Sequence, residues 1–192
     1  VPTDDDHQSE TVGDHFQSRA YLSGFTGSAG ILLVKQDAAY LWTDGRYFIQ
    51  AAKQLEEGIT LMKMSQKGVP TLLEFLSQDV QPHDIIAFDG QTMNAQFVLD
   101  LEEVLEDVEH DLLDEFWTQR PAMSCQKAYI YDLKYNGLSA HEKIEIIQEY
   151  MKENNCTSHI VTPLDDIAWI FNLRGGDIPC SPTALAFALI TL

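Results

Sequence analysis

Residues 21–30 read YLSGFTGSAG, and residues 41–52, one short apolar hairpin later, read LWTDGRYFIQAA. The first stretch sets Gly24, Gly27 and Gly30 at every third position. A residue without Cβ supplies either left-handed backbone or room for another chain segment. Three in series mark a place where the chain turns and packs closely. Residues 30–34 and 38–42 are β-compatible and separated by Lys35-Gln36-Asp37, the pattern of a hairpin. Thr43-Asp44-Gly45 is a turn, and Thr43 or Asp44 caps a helix carrying Tyr47, Phe48, Ala51 and Leu55 at helical spacing. Glycine loop, hairpin, turn and helix within some thirty residues point to an α/β fold.

Working outward, residues 14–22 predict a short helix leading into Ser23-Gly24, and residues 59–64 a strand. Pro70 opens a helix with Leu72, Leu73, Phe75 and Leu76. Residues 85–88 predict a short buried strand. Residues 93–108 form an amphipathic helix with Phe97, Leu101, Val104, Leu105 and Val108 on one face and carboxylates on the other. Residues 111–117 return as a strand, and a linker-like break with Pro121 follows. Ser139-Ala-His-Glu142 is a capping box opening a helix with Ile144, Ile147, Tyr150 and Met151. Residues 157–161 predict a strand, 164–171 a helix, Gly175-Gly176 a turn, and 185–192 an apolar strand. The expected fold is a mixed, largely buried sheet with helices on both faces over residues 1–125. A linker at 126–137 and the beginning of a second, similar domain at 138–192 follow. VPTDD at residues 1–5 resembles VTPLDD at 161–166, each preceding an apolar helix-like piece, a glycine turn and an apolar strand. On that correspondence the first copy lacks opening elements upstream of Val1, and the second lacks its end.

The 192 residues are 45% hydrophobic, enough for a real core. Twelve basic against 30 acidic residues give a net charge of −18, a field that repels phosphate backbones and argues against nucleic acid as a partner. Residues 100–115 hold nine carboxylates and no Lys or Arg. Cys125, Cys156 and Cys180 are odd in number and widely spaced, neither a disulfide framework nor a zinc site, so a reducing cytoplasm is the default. No apolar run approaches the roughly 18 residues of a membrane span. No signal peptide leads the chain, so Asn155-Cys156-Thr157, though it fits a glycosylation sequon, is read as accidental.

Residues 4–10, DDDHQSE, are the one dense set of metal-ligand types: Asp4, Asp5, Asp6, His7 and Glu10. Successive loop residues do not all turn to one ion, so a solvated loop with local capping is expected and no metal is assigned. Ser23, Ser28 and the cysteines lie outside any GxSxG elbow. The repeated Gly-x-x-Gly is not followed by a fitting helix or Lys, and the net charge opposes phosphate. Arg46 is placed at the first turn of a helix, where the dipole favours anions. It therefore has either a task elsewhere or an ion pair with Asp44 or a nearby acid. Arg174 beside a turn reads as structural, and His141 and His159 have no evident partners.

At DDDHQSE (4–10), YLSGFTGSAG (21–30), WTDGRYFIQAA (42–52), WTQRP (117–121) and LDDIAWIFNLRGGDI (164–178), the chain resembles the amino-terminal part of Xaa-Pro aminopeptidase P in its three-domain form. The likeness runs the length of the chain in the family's order. Prolidase and creatinase share the layout of the first domain less closely and lack the linker to a second similar one.

The resemblance implies two α/β domains of the creatinase/prolidase amino-terminal type. They precede a catalytic domain that holds two divalent ions, typically manganese, through two Asp, one His and two Glu. It implies a metal-dependent, cytoplasmic, homodimeric aminopeptidase that cleaves ahead of a proline in second position. None of that catalytic domain is expected in this chain, which would bind no cofactor and be inactive alone. The amino-terminal domains would shape substrate access and dimerisation. Arg46 is the substrate-access candidate by its Asp-Gly-Arg-Tyr match to creatinase-like relatives. His7 is a second, by its place in the Asp-x-His-x-Ser-Glu opening. The alternatives are a non-catalytic relative acting as an acidic, histone-chaperone-like binding module, or a prolidase or creatinase relative. The apolar end at 185–192 predicts dimers or swapped elements in this piece alone.

Overall fold

Leu32 and Leu41 face one another across a hairpin in which β1 (Ile31–Val34) pairs antiparallel with β2 (Ala39–Thr43). The turn closes as Lys35 N–H donates to Ala38 O at 2.8 Å. The chain then passes through α2 (Phe48–Gln54) and returns as β3 (Ile59–Lys63), parallel to β2. The result is a mixed three-stranded sheet in the order β1-β2-β3. The computed structural model describes residues 1–81, 84–102 and 113–192. It divides into two compact units, Val1–Pro121 and Ala122–Leu192.

Side chains alternate across the sheet, and each face has its own cover. On one face Leu32 and Leu41 pack with Phe25 and with Ala51 of α2, all at or below 1% exposure. Each large side chain so buried contributes roughly 1.5–3 kcal/mol. On the other face Tyr40 and Trp42 meet Phe75 of α3 (Leu72–Asp79), with ring centroids 4.8 and 5.4 Å apart. Trp42 Nε1–H also donates to Pro70 O at 2.8 Å. Helices thus cover both faces of this sheet, and the mixed α/β class is the one expected.

Several local expectations are corrected. Pro70 lies ahead of α3 rather than in its first turn; Thr71 is the cap, in a capping box with Glu74. The Asp44-Gly45 turn runs on through Tyr47, which is the N-cap of α2, so Arg46 precedes the helix. Residues 85–88 form no strand, and Ile85 is exposed. An apolar run of four with no partner strand cannot satisfy its backbone in a sheet. Leu113–Phe116 is helical (α5), not extended. Of the acidic helix, α4 (Ala95–Glu102) is described; Val104, Leu105 and Val108 lie outside the described residues. Residues 14–22 split into a 3-10 turn (Asp14–Phe16) and α1 (Ser18–Ser23). Gly24 at φ +72° ends α1, its N–H donating to Ala20 O.

In the second unit β4 (Tyr129–Ile130) and α6 (Leu133–Asn136) precede α7 (Ala140–Glu153). As the sequence predicts, Ser139 Oγ accepts from Glu142 N–H while Glu142 accepts from Ser139 N–H. Ile144, Ile147 and Met151 of α7 pack on Val161 and Ile190, while Tyr150 points outward. Those two residues belong to β5 (Ser158–Val161) and β7 (Ala188–Thr191), an antiparallel pair. Between them lie α8 (Leu164–Ile170) and β6 (Leu173–Arg174), the latter paired with β4. Lys143 is 1% exposed, donating to Trp169 O and Asn172 Oδ1, both at 2.6 Å. Burial, then Arg174, hold its pKa below the usual lysine value. Arg174 Nη1 donates to Ala168 O at 2.7 Å. Two cations therefore tie down the carbonyl end of α8, where the helix dipole favours them. Among the described residues no helix is long and apolar enough to cross a membrane.

Candidate functional site

The glycine loop is held from inside by a cation. Arg19, on α1, is 3% exposed, with its guanidinium 4.8 Å from the centre of the Phe25 ring. Its Nη1 donates to Thr3 Oγ1 at 2.7 Å and its Nη2 donates to Gly27 O. Burial lowers its pKa to about 10. A Cβ on Gly30 would stand 2.8 Å from Arg19 Nη1 and from Trp42 O, so the loop wraps this guanidinium only without a side chain there. The sequence offered no sign of Arg19, because its role appears only once α1 folds back over the loop.

The opening segment is pinned against that loop. Thr3 Oγ1 donates to Gly30 O at 3.0 Å, and Gln8 Nε2 donates to Thr92 O at 3.0 Å, 84 residues away. The solvated loop expected at residues 4–10 is corrected: Asp5 is fully buried and His7 is 8% exposed. Asp5 Oδ1 accepts from His7 N–H at 3.0 Å and from Ser9 N–H at 2.9 Å, while its Oδ2 is buried without a hydrogen-bond partner among the described residues. Burial raises the pKa of Asp4. His7 Nδ1 lies 2.7 Å from Asp6 Oδ1.

Asp5, Asp6 and His7 have potential ligand atoms within 4.8 Å of one another. They do not fit a pair of divalent ions. Three donors from consecutive residues are too few for two metals, one oxygen already takes two backbone N–H groups, and the imidazole nitrogen faces the neighbouring carboxylate.

Arg46 is exposed and fully engaged on one side. Its Nε and Nη2 donate to Asp44 Oδ1 and Oδ2 at 3.0 and 2.9 Å, a side-on fork. Its Nη1 donates to Glu10 Oε1 at 3.0 Å. Glu10 Oε1 also accepts from Ser28 Oγ at 2.9 Å, and Ser28 Oγ lies 2.7 Å from Tyr47 Oη. Hydrogen bonds from Ser28 and then Arg46 lower the pKa of Glu10; those from Arg46 lower that of Asp44. The two acids in turn raise that of Arg46, so the cation keeps its charge at any working pH. Of the two possibilities left open for Arg46, the ion pair is present, with two acids rather than one. The structure thus joins Arg46 to the opening segment through Glu10, and it joins His7 to Asp6, while nothing brings Arg46 and His7 into contact among the described residues. Arg174 is structural, as expected. His141 has a partner the sequence reading missed, Glu145 at 3.3 Å, one helical turn on. His159 is exposed.

The chain is similar to known proteins along its whole length. Residues 12–120 match the Creatinase/Prolidase N-terminal domain family, and residues 119–192 match a second family of the same description. The chain is 38% identical to aminopeptidase P2 of Arabidopsis thaliana over 99% of its own length, and 38% identical to a probable Xaa-Pro aminopeptidase P of Laccaria bicolor over 100%. It superposes on X-prolyl aminopeptidase from Caenorhabditis elegans, described as a cytosolic enzyme with a di-nuclear active site, with a TM-score of 0.92 at 33% identity over its whole length. It spans only 28%, 31% and 32% of those three proteins. With the glycine loop, the hairpin and the Asp-Gly-Arg-Tyr turn all in place, the chain belongs to the creatinase/prolidase N-terminal domain family.

Proposed function

We propose that this chain is the non-catalytic amino-terminal portion of a metal-dependent Xaa-Pro aminopeptidase, which hydrolyses the bond between a first residue and a proline in second position. The observation that carries this reading is the extent of the likeness. It covers the whole chain at 33–38% identity, yet falls on under a third of each relative. The two divalent ions, expected to be manganese, would be held by residues outside this chain. This fits the poor donor set at Asp5, Asp6 and His7.

In this reading the chain shapes access to the catalytic centre and contributes to a cytoplasmic homodimer. Arg46 stays protonated but is paired with Asp44 and Glu10, so it offers the surface directed N–H donors rather than net positive charge. Its side-on edge is taken by Asp44, which leaves N–H donors on Nη1 and Nη2 for a peptide oxygen. His7, in the buried opening segment, is the second access candidate, by its place in the Asp-x-His-x-Ser-Glu opening. The residues before 122 and after it act as two domains of one type.

The test is made in a full-length protein that carries this portion, assayed on peptides with proline in second position. Release of the first residue, its loss on chelation and its return with manganese are expected, together with a lower kcat/KM for Arg46→Ala and His7→Ala. Failure to cleave any such peptide would instead support an acidic binding module. Unchanged kcat/KM in both variants would remove the access role.

A further inference from the structure

Glu10 is tied to more of its surroundings than an exposed acid needs. One oxygen, Oε1, receives both the Arg46 Nη1–H and the Ser28 Oγ–H, at 3.0 and 2.9 Å. Ser28 belongs to the glycine loop and lies 2.7 Å from the hydroxyl of Tyr47. The Tyr47 ring packs edge-on to buried Phe25, with centroids 5.8 Å apart, and lies under the Arg46 guanidinium at 5.1 Å. Three segments far apart in sequence, around residues 10, 28 and 44–47, therefore close on one guanidinium. Asp44 fixes the plane of that group through its fork. Glu10 fixes its rotation about the long side chain, because Nη1 is the nitrogen that the Asp44 fork leaves open.

We propose that Glu10 is a positioning residue for Arg46, setting the direction in which its remaining N–H donors face and coupling that direction to the glycine loop through Ser28. This rests on the substrate-access reading of Arg46 and deepens it. An arginine side chain has four rotatable bonds, and an exposed one samples many directions unless something holds it. The pair with Asp44 alone is local, two residues apart, and moves with the turn. The bond to Glu10 refers the guanidinium to a different segment, one pinned to the rest of the unit by Thr3 and Gln8. Neither acid touches substrate in this account; both act through Arg46.

A double-mutant cycle in the full-length enzyme tests it, using Glu10→Ala, Arg46→Ala and the pair, with kcat and KM measured separately on a tripeptide with proline in second position. Thermal unfolding of each variant is followed alongside. Glu10→Ala is expected to lower kcat/KM about two- to fivefold, the scale of one exposed ion pair. The loss should vanish in the Arg46→Ala background. Glu10→Gln, which keeps the acceptor for Ser28 and Arg46, should recover about half or more of the lost activity. Equal losses from Glu10→Ala in both backgrounds would overturn the positioning role while leaving the Arg46 reading intact. An Arg46→Ala enzyme with wild-type kcat/KM would overturn both, and would identify the access reading as the part that failed. A Glu10→Ala loss that simply follows a fall in unfolding temperature would likewise overturn it.

Discussion

Gly27→Ala should unfold the first unit well before its chemistry suggests, because the site has no room for a single methyl group. A Cβ there would stand 2.3 Å from Phe25 Cζ, 2.7 Å from Phe25 Cε2 and 2.8 Å from Tyr47 Cδ1. Carbon atoms pack best about 3.5–4.0 Å apart. Against a contact of about 3.5 Å, Phe25 must therefore yield by about 1.2 Å and Tyr47 by about 0.7 Å, unless the loop backbone shifts instead. Phe25 is completely buried and lies under the Arg19 guanidinium, so it cannot swing aside without disturbing that cation. Tyr47 is held by Ser28. Overpacking of this kind costs about 1–3 kcal/mol. Displacing Gly27 O from Arg19 weakens a charged hydrogen bond worth about 1.5–3 kcal/mol. Part of each penalty relaxes, and about 3 kcal/mol is expected. That corresponds to a fall of about 6–12 °C in unfolding temperature for a chain of this size. Gly68 is the control. It has φ +84° with nothing within 4 Å of an added Cβ, so Gly68→Ala carries only a backbone cost of about 1 kcal/mol. Urea unfolding read by the fluorescence of buried Trp42 and Trp117 reports on this unit. If Gly27→Ala cost no more than Gly68→Ala, close approach at the glycine loop would not be what that residue provides.

Lys143→Met should destabilise the second unit by about 2–4 kcal/mol in urea unfolding followed by far-ultraviolet circular dichroism, because Trp169 O and Asn172 Oδ1 each lose a charged donor. A cost below about 0.5 kcal/mol would contradict this. Since burial depresses the folded pKa of Lys143 below its unfolded value of 10.5, the unfolded chain holds the proton over the interval between them. Stability from this group should therefore rise as pH climbs through that interval, and the rise should be missing in Lys143→Met. Ser139→Ala should cost about 1 kcal/mol through loss of the capping box on α7. Glu10 and Asp44 have folded pKa values below their ordinary 4.5 and 3.8, so their contribution is present above pH 4.5 and lost as pH falls through the depressed values. The difference in unfolding temperature between the wild type and Arg46→Ala should shrink from pH 6 to pH 2.5, and also in 1 M salt. A difference independent of both would show that these ion pairs add nothing to stability.

Local chemistry was the legible part of the sequence. The hairpin, the Ser139 capping box and the strand at 59–63 depend on residues a few positions apart, and each was visible. The equivalent Thr71-x-x-Glu74 box is just as local, and a helix opened by Pro70 starts ahead of that cap. Residues 85–88 were misread because a short apolar run carries no periodicity to separate a strand from an extended loop. The site was legible only in its residue types. A run of consecutive polar loop residues predicts solvation for Asp5 and His7, yet a contact from Gln8 to Thr92 holds that segment down. No local pattern announces a bond across 84 residues. Arg46 stood out, but Glu10 and Arg19, which organise its surroundings, are recognisable only after α1, the glycine loop and the Asp-Gly turn have come together.

The most direct test compares this 192-residue chain with the full-length protein on one peptide bearing proline in second position, both supplied with manganese. The full-length protein should release the first residue, and the chain alone should release none at any concentration reached. Turnover by the purified chain itself, removed by a chelator and restored by metal, would contradict the account.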